Sequence, residues 1–350
     1  MIECRKHIAL LKGLLLVGMC ILTGVSCERR PLEDPDFNTR IRVKVDIKTI
    51  QNVTCDIYND KIPLPELNPE VLRVMFYDHH KDQLLGETFI YDKSVDENGD
   101  TFIHGDISIL PGDYKILIYQ FGTEASLIKN YSSYSNALAY TDPISEEEMK
   151  ALQLKAEMAS ANGSQLIHHQ PDHIIAARSE YEHIPYHSGT YTVSTEARSL
   201  VESYYLQVKV DGLQYVSSAK AVLSSMAPSV NMASEEKNIQ NPCAIYIPLI
   251  KSDDKGQDVA CNVFNTFGRI PESTNDLKVT FELKTTDGRS INETFDISDL
   301  FLSEECIKHH WLLIDKKIIV PEPPDPKPGE GGGFDPKIDD WESINSEIII

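Results

Sequence analysis

Long apolar runs, basic residues and tryptophan are all scarce in this 350-residue chain, and each scarcity excludes something. There are 33 Lys and Arg against 54 Asp and Glu, for a net charge of −21. So acidic a surface repels phosphate backbones, so nucleic acid is not an expected partner. The apolar stretch Leu14-Leu15-Leu16-Val17-Gly18-Met19-Cys20-Ile21-Leu22 is shorter than the roughly 20 residues that a helix needs to span a bilayer. Cysteine occurs seven times and never as CxxC, so the spacings are not those of a zinc site. The sequence contains no GxSxG, no P-loop, no HExxH and no GxGxxG ahead of a helix. Acidic residues are many, but no two stand out as a glycosidase-type pair.

The amino terminus is better defined. Arg5, Lys6 and Lys12 precede the apolar stretch, and Thr23-Gly24-Val25-Ser26 and Cys27 follow it. A basic head, a short greasy core and a small-residue exit make a secretory signal. A cysteine directly after the small residues reads as a bacterial lipoprotein signal, cut before Cys27, which then carries acyl chains such as palmitate. Gly24 stands where a lipobox usually has leucine, so cleavage near Ser26 without lipid is the alternative. Removing residues 1–26 takes away three basic residues and one acidic residue, which moves the charge from −21 to −23. It leaves 324 residues, enough for two domains at roughly 100–200 residues each. Cys55, Cys243, Cys261 and Cys306 remain in a compartment that permits disulfides, and Cys243 could pair with Cys261.

Residues 27–39 are polar and proline-broken, as a tether should be. In Arg40-Ile41-Arg42-Val43-Lys44-Val45-Asp46-Ile47-Lys48 apolar and charged residues alternate without error, which predicts a strand with one buried face. Further strands are expected at 71–77, 87–91, 101–109, 114–121, 190–195, 204–210, 215–223, 244–250, 262–266, 277–283, 290–295 and 311–320. Asn98-Gly99, Pro111-Gly112 and Asp287-Gly288 mark turns between them. This spacing suggests antiparallel sandwiches, an amino-terminal domain over 40–199 and a carboxy-terminal one over 200–320. Residues 122–188 interrupt the rhythm and read as a decorated connection within the first domain. A helix is expected there over 145–160, with Ser145 and Glu148 as a capping box. Residues 321–350 form a proline-rich rod, a glycine hinge and a strand-prone end.

Several residues invite a chemical reading. His168, His169, His173, His183 and His187 cluster in the connection, but Pro185 breaks the helical spacing of the last pair, and a polar loop accounts for them. Asp96, Asn98 and Asp100 resemble the start of a calcium loop, but the glycine falls one place early for it, and a hairpin turn fits better. No cofactor or metal is called for. Tyr131, Tyr134 and Tyr140, then Tyr181 and Tyr186, lie in polar surroundings. They either cover the core or offer rigid contact area to a ligand.

Several segments, taken together, resemble one family. They are the segment ending in Cys27, the strand 40–48, Leu110-Pro111-Gly112-Asp113-Tyr114-Lys115-Ile116-Leu117-Ile118-Tyr119, Gln170-Pro171-Asp172-His173, and Gly331-Gly332-Gly333-Phe334 with Asp339-Asp340-Trp341. The chain resembles the DUF5119 lipoproteins of Bacteroidales, a group similar to fimbrillins and fimbrial anchor subunits. The resemblance implies an all-β fold of two transthyretin-like antiparallel β-sandwiches in tandem, with a short helical insertion in the first. It implies lipid anchoring in the outer membrane at the cell surface, a non-enzymatic role in adhesion, and fimbrial subunits as partners. In the wider group a partner's strand fills a groove in a sandwich, opened in polymerising members by cleavage at an arginine. Here Arg29, Arg30, Arg40 and Arg42 lie close together, so no single cleavage site is marked. Ile344, Ile348 and Ile350 share one face of an extended strand and are the expected donor residues, although Ile349 points the other way. A second reading is a glycan-binding surface lipoprotein that presents Tyr131, Tyr134 and Tyr140 to host or bacterial glycans. A third is a lipid-anchored hydrolase.

Overall fold

The computed structural model describes residues 38–47, 69–97, 99–159, 165–186, 189–270 and 277–324. The alternation at 40–48 becomes β1 (Thr39–Ile47). Ile41, Val43 and Val45 are fully buried. On the opposite face both Arg40 and Arg42 bond the Asp106 carboxylate, and the Lys44 ammonium sits 3.4 Å from the centre of the Phe102 ring. The hydrogen bond from Arg42 is the main reason that the Asp106 carboxyl is held down to a pKa of about 2.

The chain continues through β2 (Val71–Asp78), β3 (Leu84–Ile90), β4 (Asp92–Val95), β5 (Thr101–Ile109) and β6 (Gly112–Phe121). Within the connection lie β7 (Leu127–Lys129), β8 (Leu138–Tyr140), α1 (Glu146–Ala151) and β9 (Ile167–His168). Then β10 (Ile175–Ile184) and β11 (Thr190–Ser199) complete the first sandwich. One face runs β3-β2-β6-β10 and the other β11-β1-β5-β4. The faces join where β10 meets β11, and only Ile175–Ser199 and Ala176–Arg198 pair there. Leu72, Val74, Phe76, Ile103, Ile116 and Ile118 meet the apolar side of β1 between them.

The second sandwich uses β12 (Glu202–Asp211), β13 (Val216–Met226), β15 (Cys243–Asp254), β16 (Gln257–Thr266), β17 (Lys278–Thr285) and β18 (Ser290–Asp296), while β14 (Ser229–Asn231) joins β8 and β7 in a separate three-stranded sheet. The short α2 (Glu304–His309) then leads into β19 (Trp311–Ile319). The order is β18-β17-β13-β15-β16-β12-β19. β15 serves two ladders: residues 243–249 pair with β13, and 250–254 with β16. Val208, Leu223, Ile245, Ile247, Phe264, Val279, Phe281 and Leu312 fill the space inside.

The fold is therefore all-β, two sandwiches in tandem. The antiparallel pattern has a consistent exception: the first strand of each sandwich also pairs in parallel with the last, β1 with β11 and β12 with β19. A parallel return requires a long crossover, which local alternation cannot reveal.

The connection holds two differences from expectation. The capping box is real: Glu148 donates its backbone N–H to Ser145 Oγ at 3.2 Å, and its carboxylate accepts the Ser145 N–H at 3.0 Å. The helix, however, ends after six residues instead of running to 160. Gln153 adopts φ 54°, and the Lys220 ammonium from β13 binds the carbonyls of Leu152 and Gln153 at 2.8 and 2.6 Å. Nor does this segment stay on the first sandwich. Ile144, Leu154, Met158, Ala159 and Ile167 pack on Val222 and Ala244 of the second. β8 also pairs with β14, and β9 with β15.

A separate cluster joins the sandwiches. Met75, Tyr77, Leu117 and Tyr119, on the outer side of β2 and β6, pack with Val230, Met232, Phe267 and Ile270. Burying one such apolar side chain contributes about 1.5–3 kcal/mol relative to exposure, so parting the sandwiches would expose several at once. Cys243, Cys261 and Cys306 are buried. Cys243, which could have paired with Cys261, does not do so, because it faces the sandwich core while Cys261 lies with Tyr205, Val259 and Trp311 in another cluster. Cys55 lies outside the described residues.

Candidate functional site

The residues singled out from sequence have different fates. Cys27 and the trio Ile344, Ile348 and Ile350 lie outside the described residues. Tyr134 is only 4% exposed. Its ring meets Tyr77 edge-on at 5.6 Å inside the cluster joining the sandwiches, and burial pushes its hydroxyl up to about 12. It is a packing residue, not a surface platform. Tyr131 is 40% exposed, with the Arg73 guanidinium 4.4 Å from its ring centre. Tyr140 is half-buried at the end of β8, and the Lys129 ammonium lies 4.4 Å from its ring.

The histidines diverge. His168 is buried and bonds the Thr141 carbonyl through Nδ1 at 2.8 Å. His169 approaches Glu148, and His183 bonds Asp113. His187 lies outside the described residues. Among the described residues no group of three His, Cys, Asp or Glu is placed to hold a metal. The acidic turn at 96–100 is a hairpin between β4 and β5, with Gly99 at φ 89° and Asp96 donating its N–H to the Asp100 carbonyl at 3.0 Å.

Two features emerge that the sequence reading did not single out. The first is the outer edge of β3. It ends its sheet, and beyond Leu84, whose N–H donates to the Ser132 carbonyl at 3.0 Å, that side pairs with no strand among the described residues. Leu85 and Phe89 project outward, 56% and 43% exposed. Phe89 packs on Phe121 with centroids 5.0 Å apart. Arg73 bonds Glu87 at 2.6 Å and the Tyr119 hydroxyl at 2.9 Å, so the charge at this edge is already engaged. The turn before β3 is pinned by Asp82. Its carboxylate accepts from Lys115 at 2.8 Å, Ser133 Oγ at 2.8 Å and the Ser135 N–H at 2.9 Å. Burial opposes ionisation of Asp82, but these bonds outweigh it and hold the pKa at about 2. An exposed edge strand with apolar side chains is a template for pairing with another chain.

The second feature is a cleft of about 690 Å³ between the connection and the second sandwich. Tyr140, Asp142, Pro143 and His168 of the connection line it together with Asn238, Gln240, Asn241 and Pro242. The amide-rich run Asn238-Ile239-Gln240-Asn241 was the available sequence signal, but nothing local ties it to Tyr140.

The motif Gln170-Pro171-Asp172-His173 lies at the junction of the sandwiches. Asp172 accepts the N–H groups of Ala125 and Ser126 at 2.6 and 3.1 Å. Gln170 and Pro171 bond Asn265 of β16. Through Asn265 the motif ties the connection to the second sandwich.

A family model described as "Domain of unknown function (DUF5119)" matches residues 26–247. A curated relative from Bacteroides ovatus, named "Putative fimbrium anchoring subunit Fim4B", is 22% identical over 356 residues, covering 93% of this chain and 94% of its own. A crystal structure described as "a putative adhesin from Bacteroides ovatus" superposes with a TM-score of 0.56 at 18% identity, covering 86% of this chain and 98% of that one. The fimbrial anchor protein Mfa2 of Porphyromonas gingivalis gives a TM-score of 0.46 at 13% identity, over 80% and 90% of the two chains.

Proposed function

The chain belongs to the DUF5119 family, and we propose that it is an anchor or accessory subunit of a fimbrial system. It is held in the outer membrane by lipid on Cys27 and meets its partners through β-strand addition. One observation carries the reading. The curated relative named as a fimbrium anchoring subunit aligns along nearly the full length of both chains, so the match includes both sandwiches and their order. The same relationship supports a binding role without bond-breaking chemistry.

Two structural facts support the mechanism. β1 is held on both edges, parallel to β11 and antiparallel to β5, and from its polar face by Asp106. A subunit that retains this strand keeps its first groove filled, as the end of a polymer needs. The part of the β3 edge beyond Leu84 then supplies backbone groups for a partner strand. Main-chain bonds provide affinity in such pairing, and alternate side-chain pockets provide specificity. Ile344, Ile348 and Ile350 are the chain's own candidate donor residues, carried on the proline- and glycine-rich leash.

The test is co-purification from the native bacterium. Deleting residues 329–350 abolishes recovery of fimbrial subunits if the tail donates, and unchanged recovery rules donation out. Cys27→Ala releases the protein from the outer-membrane fraction. Its persistence there would refute lipid anchoring.

A further inference from the structure

We propose that the cleft between β8, β9 and the loop 238–242 binds a neutral oligosaccharide. The proposal stands apart from the fimbrial reading, since a subunit of any assembly can carry such a site.

The volume of about 690 Å³ falls within the range of about 300–1,000 Å³ typical of small-ligand sites. The lining decides the chemistry. Lys129 and Asp142 have opposite charges, so the wall carries no net charge to favour an anion or a cation. Gln240 and Asn241 are exposed, and their side-chain amides bond nothing among the described residues. Asn238 Oδ1 accepts the Gln240 N–H at 3.1 Å, which holds this loop in shape. Each amide offers both a donor and an acceptor, the pairing that neighbouring sugar hydroxyls need.

His168 adds an acceptor. Its Nδ1 lies 2.8 Å from the Thr141 carbonyl, so Nδ1 is the donor. Burial lowers its pKa, which keeps the ring neutral. Nε2 therefore presents a lone pair. Tyr140, Pro143, Pro228 and Pro242 supply flat apolar surface between these polar groups, and the C–H faces of a pyranose pack on such surfaces.

A peptide strand is the weaker occupant, because the bordering strand edges are taken. β9 lies between β15 and residues 142–144. β14 lies between β8 and residues 236–238. Recognition must come from side chains.

The experiment is calorimetric titration of the full chain with maltotriose, cellotriose, chitotriose and mannotriose, with sialyllactose and a mixed heptapeptide library as comparators. At least one neutral trisaccharide binds, more tightly than either comparator. Tyr140→Ala and Asn241→Ala each weaken it by about tenfold or more, and Phe89→Ala at the distant β3 edge does not. Asn241 is exposed and its side chain is unbonded, so that variant keeps its melting temperature even if Tyr140→Ala does not. Failure of all four sugars to bind, binding unaffected by Asn241→Ala in a folded protein, or preference for the peptides or sialyllactose overturns the proposal.

Discussion

The backbone N–H of Asn265 donates to Gln170 Oε1 at 3.0 Å, so a strand of the second sandwich is bonded to the segment leading into the last two strands of the first. The same Gln170 gives its Nε2 to the Tyr246 carbonyl at 2.9 Å. One side chain thus serves two strands of the second sandwich. Gln170→Ala removes both bonds and leaves partly buried backbone groups unpaired, at a cost of about 1–3 kcal/mol. Urea denaturation should show a lower midpoint, or two transitions where the parent shows one. An unchanged midpoint would mean that the apolar cluster and the β8–β14 and β9–β15 pairings hold the sandwiches without it.

Acid should loosen the same junction. His173 lies beside Asp172 with its Nε2 3.4 Å from Ser203 Oγ, and burial lowers its pKa, as it does for His168. Asp172 works in the opposite direction and is outweighed. The unfolded chain takes up protons near pH 6.5, where the folded chain still resists them, so stability falls as pH drops below about 6.5 and levels off once the folded histidines are protonated. Thermal melts from pH 7.5 to 5 check the sign. Replacing both His168 and His173 with Asn should flatten the slope, and a slope that survives both changes would point to other groups.

Gly212 turns the chain after β12 with φ 87°, and a Cβ there would lie 2.2 Å from the Val320 carbonyl oxygen. Val320 in turn donates its N–H to the Asp211 carbonyl at 2.8 Å. Gly212→Ala therefore strains the backbone and pushes off the end of β19, costing at least about 1–3 kcal/mol. Differential scanning calorimetry measures the loss. Gly288→Ala serves as a comparison, since it has a similar φ of 84° but nothing near its missing Cβ, and it should cost less.

The three described thiols should be inert in the folded protein. Burial pushes Cys243 up to about 12 and Cys306 up to about 11, so little thiolate forms at neutral pH. Alkylation followed by peptide mass mapping should label Cys243, Cys261 and Cys306 slowly until denaturant is added. Recovery of Cys243 crosslinked to Cys261 from the native protein would contradict the packing described above.

Most strands were legible because alternation is a local property. β1 follows its apolar alternation, and β5 takes the expected bounds, 101–109. β10 escaped notice: its pairing with β6 shifts between Ser179 and Glu182, and such a shift disturbs the two-residue period that reveals a strand. β7, β8, β9 and β14 are two or three residues long and exist only because a neighbour pairs with them. The tyrosines show the same limit. Nothing local separates Tyr134 from Tyr131, yet one is buried against Tyr77 and the other rests beside Arg73 at the surface.

By itself the sequence determined which segments extend, which side of each strand avoids water, and where the tight turns fall, since side-chain stereochemistry and backbone sterics act over only a few residues. Tertiary structure alone decided that the connection leaves its parent sandwich for the next one, that Lys220 stops α1, and that Tyr140 and Asn241 line one cleft. Those outcomes depend on which apolar surfaces find each other across more than fifty residues of chain, a choice made by packing and not by any local pattern.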